Sequence, residues 1–376
     1  MTFANYSASL RFPRLRNLWS GGLLCIGMAL SPIASSQPMG AQGEDFLYQI
    51  QAGDTLEQLA LRYTLNASQW PTLQRLNQVQ DTYALRIGSV LRIPLSLIPE
   101  RPAQASVIHV TGSVTQNGIP LRPGDPLVNG QILRSASGGT ATLRLEDLSL
   151  LTLAPGTELQ IERLQAFQGV GLTDTILNVH QGTVETIVAP EHTGVGRFEV
   201  RTPATVTGVR GTRLRVHADV DGSRHEILHG QAAVSGSAGA PEQHIGINQG
   251  MAYDASGGFR GSRPLLPAPQ LPAAQDVESD RTLNFPAIPG AVGYRIQVAQ
   301  DADGALLAHS QRVAAPPVRL PALASGLYHV FVRGIDDLGI EGQDATIALR
   351  LQAGLTSADG TPVLCTDGTP VALTSF

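Results

Sequence analysis

Hydrophobic positions recur at two different periods along the chain, and the change of period marks its organisation. Phe46, Tyr48 and Ile50 alternate with other neighbours, as in a strand with one buried face. Ala52-Gly53-Asp54-Thr55 supplies a turn in which Asp54 or Thr55 can cap a helix, and Leu56, Leu59, Ala60 and Tyr63 follow at helical spacing. A second short helix is predicted from near Ser68, with Pro71 in its first turn and Leu73 and Leu76 facing inward. Val90, Leu91 and Ile93 then form a strand beside the first. Residues 46–95 therefore predict a small βααβ module with its own core.

Beyond that module the period is two. From 106 to 253 short alternating segments are punctuated by Gln116-Asn117-Gly118, Pro123-Gly124-Asp125, Asn129-Gly130 and Asp221-Gly222. Thr140, Thr142 and Arg144 alternate with Ala141, Leu143 and Leu145, which predicts a sheet buried on one side. A sandwich and a solenoid-like stack are equally compatible with this pattern. Residues 96–105, with Pro99 and Pro102, read as a linker, and so does the Pro/Ala-rich stretch 262–276, which should be a semi-rigid spacer. A last β-rich domain is expected over 280–352, where Tyr294, Ile296 and Val298 alternate and Tyr328 joins Tyr294 in the core. A tail, 353–376, follows. The expected fold class is mainly β and multi-domain.

Arg11, Arg14 and Arg16 precede an apolar stretch from Leu18 to Ile33, and small residues Ala34 and Ser36 suit a signal peptidase. Residues 1–36 are thus expected to be a cleaved export signal, with membrane attachment only if that segment is retained. The lone cysteine beyond it, Cys365, has no disulfide partner once Cys25 is removed.

Composition narrows the chemistry. The formal net charge of -5 opposes nucleic-acid binding, which needs a basic face. All 26 basic residues are arginine, so no lysine is present to act as a nucleophile or in a phosphate loop. His225-Glu226-Ile227-Leu228-His229 matches the letters of a zinc-protease motif, in which two histidines one helical turn apart share the metal. Asp221-Gly222 before it and Gly230 after it frame a strand-length segment instead, so the zinc reading is set aside. No catalytic constellation, metal or cofactor is expected, and the chain is read as non-enzymatic.

Two resemblances cover much of the chain. Tyr48-x-Ile50-x-x-Gly53-Asp54-Thr55-Leu56, Leu59-Ala60, Asn77 and Gly88-x-x-Leu91-x-Ile93-Pro94 together resemble the LysM family. The resemblance implies binding of peptidoglycan or a related N-acetylglucosamine glycan in a shallow groove. Its walls would be Gly53, Asp54, Thr55 and Leu56 on one side and Tyr83, Ala84, Leu85, Arg86 and Ile87 on the other. Leu127-x-x-Gly130-x-Ile132-x-Arg134-Ser135, Leu151-x-Leu153-x-Pro155-x-Thr157 and the run Arg201 to Thr212 resemble the FecR domain. That implies an extracytoplasmic β domain for protein interaction or signal sensing, with no catalytic residues. Its Gly208-Val209-Arg210-Gly211-Thr212 reads as a structural bend, while Arg213 and Arg215 share a strand face and could meet an anion or a partner carboxylate. The 280–352 region resembles a fibronectin type III sandwich. The expected protein is exported to the periplasm or cell surface of a bacterium, binds the glycan mesh and presents β domains to an unknown envelope protein through flexible linkers. The alternatives are a FecR-type signal-sensing regulator and, in another class, a peptidoglycan hydrolase or zinc protease.

Overall fold

The alternation of Phe46, Tyr48 and Ile50 places all three side chains in one small core, closed by Leu56, Leu59, Ala60, Tyr63, Leu73, Leu91 and Ile93. In the computed structural model the strands Asp45–Gln49 and Val90–Pro94 pair antiparallel, and the helices Leu56–Thr64 and Trp70–Asn77 pack between them in sequence. Thr55 caps the first helix, its hydroxyl accepting a hydrogen bond from the Gln58 amide at 3.3 Å. The structure describes residues 40–189, 195–209, 211–237, 241–274, 277, 281–351, 363, 365, 366 and 371. The expected signal segment 1–36, Arg210 and most of the tail lie outside the described residues. Among the described residues no helix is long and apolar enough to cross a membrane.

The middle of the chain is a sandwich rather than a solenoid. Two antiparallel-rich sheets share the long strand Thr173–Ile187, whose first part pairs with Glu158–Phe167 and Val195–Arg201 and whose second part pairs with Leu150–Leu153 and Arg213–Asp219. Side chains from both sheets, among them Leu133, Leu159, Val179, Val200, Leu143, Val184, Val216 and Ile227, form one apolar cluster.

Both expected linkers turn out to be ties. Glu100–Pro102 pairs with Gln165–Phe167, and Ala103 and Ala105 are buried in the sandwich core. Leu95 and Ile98 pack with Phe167, Val170 and Leu172, so the βααβ module shares a core with a hairpin of the sandwich. Prolines were the reason to expect a spacer at 96–105; here their missing N–H groups fall on a short peripheral strand that can spare them. At 262–276, Phe259–Pro264 is a strand paired with Gln249–Asp254, Leu265 is buried, and the Leu266 carbonyl accepts a hydrogen bond from the Gln343 amide at 2.9 Å. The domains are therefore not tethered flexibly.

The C-terminal region is a two-layer unit. A four-stranded antiparallel sheet contains Gly293–Ala299, Leu307–Val313, Gly326–Ile335 and Ala345–Leu351, and it faces a two-stranded ladder of Thr282–Leu283 and Val318–Arg319. Tyr294 and Tyr328 are buried between the layers, as their strand positions predict.

The other face of that four-stranded sheet lies against the sandwich, and it is charged. Arg333 is 1% exposed, and it donates to Glu341 at 2.5 Å, Asp344 at 2.8 Å and Gln297 at 2.9 Å. Arg295 donates to the other Glu341 oxygen at 2.9 Å. From the sandwich, Arg215 reaches across to Asp344 at 2.5 Å and the Gly342 carbonyl at 2.9 Å, and Glu226 accepts from the Glu341 amide at 3.0 Å. Thr140 and Thr142, expected to face water, instead donate to the carbonyls of Leu307 and Ala305. Gly250 permits the close approach: a Cβ there would lie 2.3 Å from Ile340 Cγ2. Burial pushes the Glu341 carboxyl up, but the Arg333 and Arg295 charges outweigh it and hold it well below the ordinary value. Removing that carboxylate would leave the Arg333 and Arg295 guanidiniums facing each other, Arg333 buried with only Asp344 as a counter-charge. Glu341→Ala is accordingly expected to lower the unfolding free energy by roughly 3–5 kcal/mol, read from urea denaturation; a loss near zero would mean the arginines find other partners.

Candidate functional site

The residues expected to wall a groove in the βααβ module lie in the two loops at one end of its strand pair. Ile50 donates to the Ser89 carbonyl at 2.9 Å and accepts from the Gly88 amide at 2.8 Å, which brings the loop after the first strand beside the loop before the last. Gly53 and Gly88, at φ +92° and +82°, let both loops turn sharply there.

The first wall is braced from beneath. The Asp54 carboxylate accepts from the Tyr48 hydroxyl at 2.8 Å and the Gln51 amide at 2.7 Å, with Arg62 at 3.9 Å. Burial, reinforced by the hydrogen bond to Asp54, pushes the Tyr48 hydroxyl up to about 12, so it remains a donor. Asp54 is thus occupied as a turn brace, and Thr55 as a helix cap. Leu56, expected to line the groove, is 0% exposed and belongs to the core. Helical spacing placed it on the inward face, and only its backbone is near the wall. Sequence reading missed Tyr48 and Arg62 as supports of this loop; Tyr48 was assigned to the core alone because strand alternation reports burial of the ring and is silent about the hydroxyl.

The second wall carries the free surface. Tyr83 is 86% exposed and Ile87 66%, both from a loop held by the Asp81 carboxylate on the Tyr83 amide at 2.9 Å and by Ser89 on the Arg86 carbonyl at 2.6 Å. Ala84 and the Arg86 side chain are exposed, while Leu85 packs partly against the core. An exposed aromatic and an exposed β-branched side chain beside turn amides can meet the apolar face and the polar edge of a sugar ring.

The zinc-protease letters fall on the strand Gly222–His229. His225 points into the sandwich, where its two ring nitrogens meet the hydroxyls of Thr205 and Thr207, each at 3.0 Å. Glu226 faces the other way, with His217 at 2.8 Å. Successive residues of a strand point to opposite faces, so His225 and Glu226 cannot serve one metal-bound water. Burial, with a smaller contribution from His217, lowers His225 to about 3. Arg213 and Arg215, considered as partner-binding residues, are taken up within the chain: Arg213 by Glu185 at 2.8 Å and Arg215 by Asp344.

Two family models match this sequence. Residues 48–94 match the LysM domain and residues 131–233 match the FecR protein family. Comparison with curated proteins gave no match. Among solved structures, two crystal structures of a candidate anti-sigma factor from Parabacteroides distasonis align at 14% identity over 35% of this chain, with a TM-score of 0.29. The chain spans 59% of the length of that protein. The extracellular domain of a candidate hybrid two-component system from B. thetaiotaomicron aligns at 8% identity over 70% of this chain and 60% of its own, with a TM-score of 0.15. At such scores these structures carry no functional weight.

Two outcomes are expected. Asp54→Ala should cost about 1–3 kcal/mol of stability, because the buried Tyr48 hydroxyl and Gln51 amide lose their acceptor; equal melting temperatures of variant and parent would show that water replaces it. His225 binds its proton only below about pH 3 in the folded chain but near its ordinary 6.5 when unfolded. The unfolded state therefore takes up more protons in between, and stability is full above pH 6.5 and declines as pH falls towards 3. Between pH 6.5 and 4.5, before the carboxylates titrate, His225→Gln should flatten the slope of unfolding free energy against pH by roughly 1 kcal/mol per pH unit. Identical slopes would show that His225 does not remain buried and neutral.

Proposed function

We propose that this chain, which carries a LysM domain at 48–94 and a FecR domain at 131–233, is a non-enzymatic bacterial cell-envelope protein that binds peptidoglycan and holds a rigid β platform against it. LysM domains bind N-acetylglucosamine-containing glycans, and LysM and FecR domains alike are binding and regulatory modules rather than catalysts. The single observation that most supports the reading is that the loop after the first strand and the loop before the last are joined at Ile50, Gly88 and Ser89, with Tyr83 and Ile87 of the second loop exposed. In this reading the glycan meets the backbone around Gly53 to Thr55 and stacks on Tyr83, and Leu85 and Asp54 keep the walls in place. Export to the periplasm or cell surface accords with the arginine-led apolar segment at the N-terminus. The FecR sandwich and the C-terminal unit would then meet an envelope protein partner.

The FecR match also favours a second reading, a signal-sensing regulator. That reading requires a transcriptional change when the gene is deleted.

Sedimentation of the purified protein with insoluble peptidoglycan tests the first reading. Point substitution is preferable to removal of the module, because Phe167, Val170 and Leu172 would lose their cover. The protein should sediment with peptidoglycan, and Tyr83→Ala should reduce the bound fraction about tenfold while leaving the melting temperature unchanged, since loss of one stacked aromatic is worth on the order of 1–2 kcal/mol. Failure of the parent protein to sediment would refute peptidoglycan binding and raise the regulator to first place.

A further inference from the structure

Three arginines stand in one row across the C-terminal sheet. Arg312, Arg295 and Arg333 are direct cross-strand partners on Leu307–Val313, Gly293–Ala299 and Gly326–Ile335, so all three project from the same face. That face looks towards the sandwich. Arg333 is fully buried and neutralised by Glu341 and Asp344. Arg295 is held by Glu341 through its Nε alone, and its two terminal nitrogens have no partner among the described residues. Arg312 makes no hydrogen bond and no ion pair among the described residues, although it lies directly opposite Arg295. Like charges in that position destabilise a sheet, and the Glu341 carboxylate that offsets Arg295 is shared with Arg333.

Arg295 and Arg312 open into a cleft of about 390 Å³ between the C-terminal unit and the sandwich. The sandwich contributes Arg224 and Arg260 to it. Arg224 is already engaged, by Asp219 at 2.5 Å and by the Leu338 carbonyl at 3.0 Å, whereas Arg260 makes no ion pair among the described residues and acts on Asp254 only from farther off. Carboxylates also reach the cleft. Asp219 is paired with Arg224, Glu341 is shared by Arg295 and Arg333, Asp336 and Asp337 lie at 3.4 and 2.5 Å from Arg263, and Asp221 makes no ion pair among the described residues. Four arginines and five carboxylates thus line the cleft, and the groups without an ion pair among the described residues are Arg260, Arg312 and the outer nitrogens of Arg295 on one side and Asp221 on the other, with Asp336 and Asp337 sharing Arg263.

We propose that this cleft is a binding site for a small oxyanion ligand, a carboxylate or phosphate compound, gripped by Arg295 and Arg312 from the C-terminal unit and by Arg260 from the sandwich. Guanidinium forks bind both groups in bidentate fashion, and the volume suits a metabolite-sized molecule. Arg295 is pre-oriented, because the buried Glu341 carboxylate fixes its Nε and leaves its outer edge for the ligand. Asp221 accepts an amino group where the ligand carries one. The site is separate from the glycan groove and does not depend on it.

Isothermal titration calorimetry of the purified protein with inorganic phosphate, citrate and glutamate in turn, in dilute chloride buffer, tests the site. Saturable binding of at least one of them is expected, weakened about tenfold in Arg312→Gln and unchanged in Arg319→Gln, which lies outside the cleft. Preference for phosphate identifies a phosphorylated ligand, and preference for citrate or glutamate a carboxylate; each supports the site. Without added anion, Arg312→Gln should melt at or above the temperature of the parent, because a like-charge pair is relieved. No saturable binding by any of the three, equal affinity in Arg312→Gln, or a variant that melts well below the parent would overturn the proposal.

Discussion

The shared carboxylate of Glu341 is the constraint on which the arrangement of the β domains depends. It lies between Arg295 and Arg333 of its own unit, and its amide donates to Glu226 of the sandwich. Taking such charges out of water costs several kcal/mol per ion, and attraction repays it only when the geometry is fully satisfied. A buried ionic junction of this kind is a demanding fit. It tolerates one relative placement of the two units, since a small shift would leave a guanidinium or carboxylate without its partner. The apolar patch of Ala252, Leu265 and Ile340 beside it supplies burial without direction. Ions set the register, and the patch adds area.

The same economy of placement governs the LysM domain. Its two-stranded ladder has Asp45 opposite Pro94 at one end and Gln49 opposite Val90 at the other. Leu95 and Ile98 anchor the first end to the sandwich hairpin at Phe167, Val170 and Leu172, and the loops proposed to bind glycan leave from the second. With about 3.3 Å of rise per strand residue, the anchored end and the binding end are separated by the length of the ladder. Docking therefore leaves Tyr83 and Ile87 exposed. It also removes freedom: a glycan seated beside Tyr83 would orient the sandwich as well as localise it.

Legibility of the chain followed the range of the interactions. Phe46, Tyr48 and Ile50, the Thr55 cap and the burial of Tyr294 and Tyr328 depend on neighbours within one unit, and period and turn chemistry revealed them. The strand under His225-Glu226-Ile227-Leu228-His229 was legible for the same reason, because Gly222 and Gly230 bound it closely. Leu56 was misplaced where a motif and a helical period competed, and packing of the inward face decided. What no local pattern could reveal is what lies across an interface. Thr140 and Thr142 have the polarity of a solvated face, yet carbonyls of a strand more than 160 positions later cover them. Arg213 and Arg215 looked available for a partner, and the partner was the chain itself. Pro99 and Pro102 suggested a spacer, though proline excludes only the inner positions of a sheet.

Charge also sets how the interface would respond to a small polar ligand. A hydrophobic junction between the sandwich and the C-terminal unit would be indifferent to small polar ligands. An ionic one leaves edges where the pairing is incomplete, and Arg312 and the outer fork of Arg295 are such an edge. Because these arginines belong to one unit and Arg260 to the other, any anion bound among them adds a tie between the two and stabilises the docked arrangement in proportion to its occupancy. The junction that holds the platform rigid is thus also the one whose stability a ligand can change. Coupling of that kind needs no moving part beyond the two faces already in contact, because differential binding to the docked arrangement is sufficient to shift its population.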